Sequence, residues 1–351
     1  MDKLDTHLLI LMDWIPPDNW ILAYKFRECF SNITIQAYSA PHSFNSIFEK
    51  IRHVWTGYVL HTFKAFIMLR DIEVVFAWQA VMGLLYAFFT RLLCRQRTRI
   101  VIGHFIIPKR TNLINRYLRY HFIKFCLNRV DMVIVSSKVE AELFQNEFNN
   151  KRTRFEFIPV CVDLKESYET VDANFIFSGG RSNRDYKTLF QALDKIDMPV
   201  KIIAQQFNVS GLTIPQNVEF IDGSSEDEFS RMMCRSSFVV IPLERSNESS
   251  GHLVLLRAWS FGKAVIITEN AGIQDYVKHG VNSIIIDHKD INGLHKAIKR
   301  LISDQDLRIT LGKNGKEDVM NHFTEKAYSE SLRALIFKFL IKSDRARLTS
   351  I

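Results

Sequence analysis

The chain has 351 residues, of which 47% are hydrophobic and 24% charged, and this composition excludes an intrinsically disordered protein. The length predicts two domains, and five scattered cysteines without a C-x-x-C spacing argue against a disulfide framework or a cysteine-rich zinc site. The first residues, MDKLDTHLLILMDW, are acidic where a secretory signal would be basic, so we expect a cytoplasmic protein.

The net charge of +8 lies entirely in the first half of the chain. Residues 1–160 hold 21 basic and 13 acidic residues, whereas residues 161–351 hold 25 of each. Residues 91–138 alone contain eleven basic residues and one acid, Asp131. On charge alone, the partner of this half could be anionic lipid, a phosphate-bearing acceptor or nucleic acid.

Short apolar runs of strand character alternate with amphipathic helical stretches along the chain. The first six runs lie at residues 7–13, 32–39, 72–77, 98–104, 130–136 and 154–160. A polar linker follows at 162–173, and six more runs lie at 174–180, 199–205, 218–223, 237–242, 264–268 and 283–287. Two helical segments are expected from about Ile291 onward.

This alternation predicts an α/β fold with two Rossmann-like doubly wound domains, each built on a parallel sheet, facing a ligand cleft. We place the domains at 1–163 and 164–325, with a basic amphipathic helix over 326–351 that packs back on the first domain. Val74 to Thr90 is a run of seventeen uncharged residues. Its β-branched start and helical end favour a strand followed by a helix over a membrane span.

Two segments of the second half have features of a phosphate site. After the run NFIFS come Gly179 and Gly180, then Arg181 and Arg184, and a helix is expected near Asp185. The glycines allow a tight turn, and two arginines three residues apart can bind a diphosphate. A solvent-exposed loop with surface arginines explains this pattern equally well.

The second segment is SFVVIPLERSNESSGHLVLLRAWSFGKAVIITENAGIQDYV, residues 237–277. It predicts two buried strands joined by a helix that Ser249, Ser250 or Gly251 can cap. The backbone amides at such a helix start can bind phosphate, although most helices of doubly wound domains serve only as scaffold.

In this order, the two segments resemble the C-terminal half of the retaining GT-B glycosyltransferases of family four, the glycosyl transferases group 1. FSGGRSNRDYKTL resembles that family's glycine–arginine–lysine loop, and SSGHLVLLRAWSFGKAVIITENAGIQDYV resembles its donor-binding βαβ unit. The match is strongest over 174–320 and holds only in outline for the first half. The resemblance implies a nucleotide-sugar donor in the second domain and an acceptor in the first, with no cofactor and no metal.

The resemblance also implies a role for each matching residue. Arg181 and Arg184 match the arginine and lysine that hold the donor diphosphate, and would stabilise the leaving nucleoside diphosphate. His104, after the run RIVIG, matches a histidine near the donor hexose; a lone loop histidine is the alternative. The remaining predicted donor contacts are Gly179, Gly180, Glu248, Ser249, Ser250, Gly251, His252, Arg257 and Gly272.

One position departs from the family pattern of two glutamates separated by seven residues. The matching positions hold Ser249 and Arg257, and Glu248 lies one residue out of register. In the family the second glutamate accepts hydrogen bonds from the nucleotide ribose, whereas arginine can only donate. The departure implies a changed donor choice or a loss of activity. The string Asp304-Gln305-Asp306 lies in a charged helical stretch, and we interpret it as surface rather than a metal site.

In the first half, Asp13 and Trp14 end the first predicted strand, and Trp78 and Gln79 end the third, so they are candidates for the acceptor site. The stretch 91–138 mixes basic and apolar residues at helical spacing. Such helices can lie in an anionic membrane interface, and a plain surface helix is the alternative. No nucleic-acid recognition motif is present, so we expect no nucleic-acid partner.

The sequence therefore predicts an enzyme that transfers a hexose-type sugar, with retention, from a nucleotide-diphosphate sugar to a saccharide or lipid-linked acceptor. We expect a role in bacterial surface polysaccharide or lipopolysaccharide assembly, in the cytoplasm or peripherally on the inner face of the membrane. The alternative is a non-catalytic GT-B subunit that docks on a membrane-associated glycosyltransferase complex, as Arg257 suggests. An NAD-dependent oxidoreductase is discounted because GGRSNR lacks the G-x-G-x-x-G pattern.

Overall fold

The computed structural model describes residues 3–39, 56–69, 71–93, 98–106, 112–164, 168–246 and 249–348. Its strands form two six-stranded sheets, and the neighbouring strands of each sheet are parallel. Each apolar run identified in the sequence overlaps one strand of these sheets. Two Rossmann-like, doubly wound α/β domains are therefore confirmed. The predicted site residue Glu248 lies outside the described residues.

The first compact unit comprises Met1–Ile158 and Ser329–Ile351. Its sheet has the strand order β2-β1-β3-β4-β5-β6. The strands are β1 (Leu4–Met12), β2 (Phe30–Ala37), β3 (Val74–Gln79), β4 (Arg99–His104), β5 (Met132–Val135) and β6 (Arg154–Phe157). The helices within residues 1–158 that the structure describes are α1 (Ile21–Arg27), α2 (Thr56–Met68), α3 (Ala80–Leu92), α4 (Leu113–Leu127) and α5 (Lys138–Phe148).

The second compact unit comprises Pro159–Tyr328, and its strand order is β12-β11-β10-β7-β8-β9. The strands are β7 (Ile176–Gly179), β8 (Val200–Ala204), β9 (Val218–Asp222), β10 (Phe238–Ile241), β11 (Ala264–Thr268) and β12 (Ile284–Ile286). The helices are α6 (Tyr186–Ala192), α7 (Gln206–Val209), α8 (Glu226–Arg235), α9 (His252–Ser260), α10 (Ile291–Ser303) and α11 (Gln305–His322). α12 (Glu325–Leu348) ends the chain.

The order of strands fixes where a ligand can bind in each sheet. The order changes direction beside β1 and β3 in the first unit, and beside β7 and β10 in the second. In open parallel sheets, ligands bind beyond the carboxyl ends of the strands at such a switch point. A ligand is therefore expected at the sheet edge after Met12 and Gln79 and at the sheet edge after Gly179 and Ile241.

The buried strands explain why the sheets form. Leu8–Met12 in β1, Val75–Ala77 in β3 and Phe238–Ile241 in β10 are at most 1% exposed. A parallel strand covered on both faces requires such an uninterrupted apolar run. Each unit has its own apolar core, and burial of these side chains provides most of the favourable free energy of folding.

Several boundaries differ from the sequence prediction. The compact units divide after Ile158 and Tyr328, whereas the predicted boundaries lie at 163 and 325. Three helices, not two, follow Asp290, because Asp304 ends α10 and caps α11 through a bond from the Leu307 N–H. Most of α12 belongs to the first unit, where Arg333 pairs with Glu28 at 3.3 Å.

The uncharged run from Val74 to Thr90 is β3 followed by most of α3, as predicted. Within the described residues, we find no helix whose length and apolar character would let it cross a bilayer.

Candidate functional site

The loop between β7 and α6 is held by its own arginine. Gly180 has a φ of 121°, in the region that favours glycine, and a Cβ there would lie 2.1 Å from an Arg184 nitrogen. The Arg184 Nε donates to the Gly179 carbonyl at 3.0 Å and Nη1 donates to the Ser182 carbonyl at 2.6 Å. Burial lowers the pKa of Arg184. Arg184 therefore fixes the shape of the loop in this structure.

Arg181 occupies a different position in the same loop. Its side chain is exposed, and its backbone carbonyl accepts a hydrogen bond from the Asn208 amide at 2.9 Å. The backbone of this residue is thus anchored while its guanidinium faces solvent. Of the two predicted diphosphate ligands, Arg181 is the one whose charge is presented outward.

Backbone hydrogen bonds join the loops that follow β7 and β10. The Asp185 N–H donates to the Pro242 carbonyl at 3.1 Å, and the Glu244 N–H donates to the Asn183 carbonyl at 3.0 Å. The Leu243 N–H donates to the Thr268 hydroxyl at the end of β11, at 3.1 Å. Three neighbouring strand ends therefore form one connected edge at the switch point of the second sheet.

The start of α9 belongs to this edge. Gly251 is the N-cap residue, with a φ of 84°, and as a glycine it has no side chain with which to cap the helix. Of the three predicted capping residues, Ser249, Ser250 and Gly251, the structure uses Gly251, since glycine adopts this backbone conformation freely. Ser250 is 8% exposed, and its hydroxyl has no hydrogen-bond partner in the described part of the chain. A buried hydroxyl left unpaired is costly, so its position beside the helix start suits a ligand.

His252 and Gly272 hold the neighbouring turn. The His252 ring is buried, with Nε2 2.7 Å from the Gly272 carbonyl and its centroid 4.5 Å from that of Tyr276. A Cβ at Gly272 would lie 2.6 Å from the Ser249 hydroxyl, so the turn approaches the helix start closely. The structure brings together five predicted site residues: Ser249, Ser250, Gly251, His252 and Gly272. His252 connects the start of α9 to the turn at Gly272.

Arg257 pairs with a residue that the sequence analysis did not identify. Its Nη2 lies 2.8 Å from Glu226 Oε1, and its Nη1 donates to Ser230 at 3.4 Å. Glu226 lies in the first turn of α8, and its side chain is 63% exposed. A carboxylate therefore lies beside position 257 although residue 257 is an arginine. The acidic string SEDE was the available signal, but only the fold shows that it reaches α9.

One cluster among the described residues has the composition of a metal site. The ligand atoms of Asp185, Glu244 and His288 lie within 4.8 Å of one another, and His288 Nε2 is 3.3 Å from Glu244. Both Asp185 carboxylate oxygens, however, already accept hydrogen bonds from Thr188, at 3.0 and 2.6 Å. Asp185 is thus used as the N-cap of α6.

The switch point of the first sheet carries aromatic rings. Trp14, Trp20 and Trp78 form a triangle with centroid distances of 5.5, 5.5 and 6.1 Å. The His104 ring lies 4.6 Å from Trp78, and burial lowers the pKa of His104 to about 4. Its imidazole is therefore neutral at pH 7. The sequence had suggested Trp14 and Trp78 but not Trp20.

Asp13 follows β1 at the same edge and accepts a hydrogen bond from the Tyr58 hydroxyl at 2.9 Å. Burial and this carboxylate raise the pKa of Tyr58.

The opposite edge of the second sheet contains a hollow of about 680 Å³ beside Asp194, Lys195 and Asn217. None of the predicted site residues lines that hollow.

Comparison with solved structures defines the class of fold. The crystal structure of Alr3699/HepE from Anabaena in complex with UDP matches 94% of this chain and 99% of its own, with a TM-score of 0.66 and 14% identity. At this identity the likeness shows the fold alone, which is that of the GT-B glycosyltransferases. The predicted GT-B architecture is thereby confirmed.

Sequence comparison finds a family model that matches part of the second unit. Residues 206–318 match Glycosyl transferases group 1, the family that the resemblance named. The uncharacterized glycosyltransferase MJ1178 of Methanocaldococcus jannaschii is 28% identical over 206 residues, 56% of this chain and 57% of the relative. The lipopolysaccharide core biosynthesis glycosyltransferase LpsE of Rhizobium meliloti is 29% identical over 97 residues, 28% of each chain. The chain thus matches about half, or less, of the length of these relatives.

Proposed function

We propose that this protein transfers a hexose-type sugar from a nucleotide-diphosphate sugar to a saccharide or lipid-linked acceptor, with retention at the anomeric carbon. The observation that carries the proposal is the edge formed by the β7 and β10 loops and the start of α9. There an exposed arginine, a glycine turn and a buried hydroxyl with no partner among the described residues lie at the switch point of one sheet. The UDP bound to the Anabaena relative supports a nucleotide ligand.

Each part of this edge has a task in binding the donor. Arg181 would neutralise the diphosphate, the Ser250 hydroxyl would donate to a phosphate oxygen, and the first amides of α9 would face the same negative charge. Gly180 allows the turn that Arg184 holds, and Gly179 leaves room for the Phe229 ring packed beside it. Arg184 would act as a positioning residue, since its hydrogen bonds go to the loop backbone.

The proposed reaction would use this charge arrangement. The bond between the anomeric carbon and the diphosphate oxygen breaks as the acceptor hydroxyl oxygen bonds to the same face of that carbon. The acceptor proton moves to the departing phosphate, so no separate protein base is required. Arg181 and the helix start lower the barrier by stabilising the negative charge that develops on the leaving group.

The aromatic edge of the first sheet suits the sugar rather than the diphosphate. Apolar faces of sugar rings pack on aromatic side chains, and Trp14 and Trp78 remain partly exposed. A neutral His104 can exchange hydrogen bonds with hexose hydroxyls without adding charge. The relative LpsE, named for lipopolysaccharide core biosynthesis, supports a role in bacterial surface polysaccharide assembly. We place the protein in the cytoplasm, in peripheral contact with the inner face of the membrane through 91–138.

A ligand panel tests the donor assignment. Thermal unfolding is measured with UDP, GDP, ADP, CMP and their common sugars at millimolar concentration and without added metal. One nucleotide at 100 times its Kd should stabilise the native state by about 2.7 kcal/mol. Arg181→Ala should abolish the shift, whereas Lys187→Ala, which removes an exposed cation from α6, should retain it. Full turnover by Arg181→Ala would contradict the assignment.

The stereochemical outcome is tested on the product. With the donor sugar that shifts the transition, NMR of the product should show the anomeric configuration of the donor. An inverted configuration would refute retention while leaving the binding site intact.

Arg257 favours the second candidate, a non-catalytic subunit that docks on a membrane-associated glycosyltransferase complex. Its guanidinium occupies the position at which the family places a glutamate. This candidate predicts that no nucleotide in the panel shifts the unfolding transition.

A further inference from the structure

Three helices of the first unit expose apolar side chains on a connected surface, which we call the lipid face. They are α2, α3 and α4, and the residue after α3 contributes as well. The exposed side chains of the lipid face are Val59, Leu60, Phe63, Ile67, Met68, Leu92, Leu93, Leu113, Ile114, Tyr117, Leu118, Phe122 and Phe125. Leu60, Ile114 and Leu118 are 66%, 69% and 60% exposed.

Ring contacts show that the three helices form one surface. Phe63 of α2 lies 5.0 Å from Phe89 of α3, measured between ring centroids. Phe88 of α3 lies 5.8 Å from Phe122 and 6.1 Å from Phe125, both in α4. The exposed apolar side chains therefore continue from α2 across α3 to α4.

The charge of the lipid face has one sign. The three helices hold five basic residues and neither aspartate nor glutamate. Arg91 lies 4.1 Å from the Phe125 ring centroid and donates to the Phe125 carbonyl, so its cation is held beside the apolar surface. Lys124 lies 5.6 Å from the Tyr120 ring centroid. Long basic side chains in such positions can reach outward while their stems cover apolar surface.

The second unit shows no comparable surface among its described residues. Its exposed apolar residues on α10 and α11, Ile302, Ile309 and Met320, are single side chains, and α11 also carries acidic residues. The described part of the chain exposes 24 large apolar side chains, and 13 of them lie on the lipid face. Single exposed apolar residues are ordinary, whereas a contiguous patch indicates an interaction surface.

We propose that the lipid face docks on an anionic bilayer, with the apolar side chains in the interface and the basic residues against phosphate headgroups. This inference rests on the proposed function, because it specifies the membrane contact given there. It adds α2, which lies outside residues 91–138. A bilayer offers both apolar depth and negative charge. Two copies meeting through this face would bring ten cations together without one acid, which disfavours a dimer.

The test is sedimentation of the full chain, without nucleotide, with vesicles of phosphatidylglycerol and phosphatidylcholine or of phosphatidylcholine alone. We expect binding to the anionic vesicles only. Ile114→Glu with Leu118→Glu should weaken it on the order of a hundredfold, because two apolar side chains no longer enter the interface. Lys64→Gln with Arg116→Gln should weaken it roughly 25-fold, at about fivefold for each basic residue.

Matched controls in the second unit distinguish binding by the lipid face from nonspecific binding through any exposed apolar or basic side chain. Ile309→Glu with Met320→Glu, and Lys296→Gln with Lys299→Gln, should bind the vesicles as the wild type does. Equal losses in the controls, or no binding by the wild type, would overturn the proposal. So would a wild-type dimer that Ile114→Glu with Leu118→Glu converts to a monomer, since a second copy would then cover the face.

The thermal midpoint of each variant is measured first, so that a folding defect is recognised. The nucleotide panel on the same samples separates the two proposals. A nucleotide shift without vesicle binding would refute the lipid face alone. Vesicle binding without a nucleotide shift would instead refute the donor assignment.

Discussion

The carboxyl edges of the two sheets have the same topological position but opposite chemistry. At the switch point of the first sheet, three tryptophan rings pack together, and one of them, Trp78, contacts a neutral histidine. At the switch point of the second, a glycine turn, an exposed arginine and a helix start lie together. In both sheets a ligand site is expected at the switch point, and the side chains there determine which ligand can bind.

Under the proposed function, the first edge takes an uncharged ligand and the second edge takes an anion. Aromatic faces and a neutral imidazole offer packing and hydrogen bonds without charge, which suits a sugar. Backbone amides at a helix start, together with a guanidinium, suit phosphate. Variants that change one edge should therefore leave the ligand of the other edge unaffected, and the following predictions use this separation.

The largest expected effect is the pH dependence of stability caused by His104. Burial keeps its pKa near 4 in the folded chain, against an ordinary value of 6.5. Between these two pKa values the unfolded state binds more protons than the folded state, so lowering the pH destabilises the fold. The full loss in the free energy of unfolding is about 3 kcal/mol once the pH is below both values. His104→Gln should remove this component when urea unfolding is compared at pH 7.5 and 4.5. The exposed His121→Gln should retain the wild-type difference, and an unchanged difference in His104→Gln would refute the burial argument.

The second effect is the loss of loop shape in Arg184→Ala. This variant removes two charge-assisted hydrogen bonds to the loop carbonyls, and we expect a loss of about 2 kcal/mol in the free energy of unfolding. Nucleotide affinity should fall at least tenfold, because the turn at Gly180 is no longer held. Arg184→Lys keeps the charge but not the forked geometry, so its stability and nucleotide affinity should lie between those of the wild type and Arg184→Ala. Calorimetric titration measures the affinity, and wild-type affinity in Arg184→Ala would show that the loop needs no such support.

Ser250→Ala should separate binding from stability. Since the buried hydroxyl has no partner in the described chain, its removal should leave stability unchanged or raise it by up to about 1 kcal/mol. Nucleotide affinity should nevertheless fall about tenfold, the value of roughly one lost hydrogen bond to a charged group. Ser224→Ala, at an exposed serine, is the control and should change neither. A destabilised Ser250→Ala with normal affinity would show that the hydroxyl serves the fold instead.

The smallest effect concerns the pair of Arg257 and Glu226. Because the Glu226 side chain is largely exposed, the coupling energy in a double-mutant cycle of Glu226→Gln and Arg257→Gln should stay below about 1 kcal/mol. The preference among nucleotides in the thermal panel should change more visibly than stability. A coupling of several kcal/mol would identify the pair as a structural element of α8 and α9.

The fold could be predicted from the sequence because a parallel strand buried on both faces is an uninterrupted apolar run. The runs at 174–180 and 237–242, for example, coincide with β7 and β10. Helix boundaries were less certain. A single aspartate, Asp304, divides the C-terminal helices, and its capping bond depends on local geometry that apolar periodicity does not report.

The site residues could be placed on their loops but not oriented. Sequence spacing put Arg181 and Arg184 on one loop, yet only the backbone path shows that Arg184 turns back onto its carbonyls. The contact between Arg257 and Glu226 joins residues 31 positions apart and depends on how α8 packs beside α9. Trp20 completes the aromatic triangle because α1 begins beside the ends of β1 and β3, which no local pattern reveals.

The central claim is that the edge of the second sheet, and not that of the first, binds the nucleotide diphosphate. The most direct test is calorimetric titration of the nucleotide selected by the thermal panel into the wild type, Arg181→Ala and Trp78→Ala. The account predicts that Arg181→Ala loses binding while Trp78→Ala keeps the wild-type affinity. Loss of binding in Trp78→Ala, with normal affinity in Arg181→Ala, would contradict it.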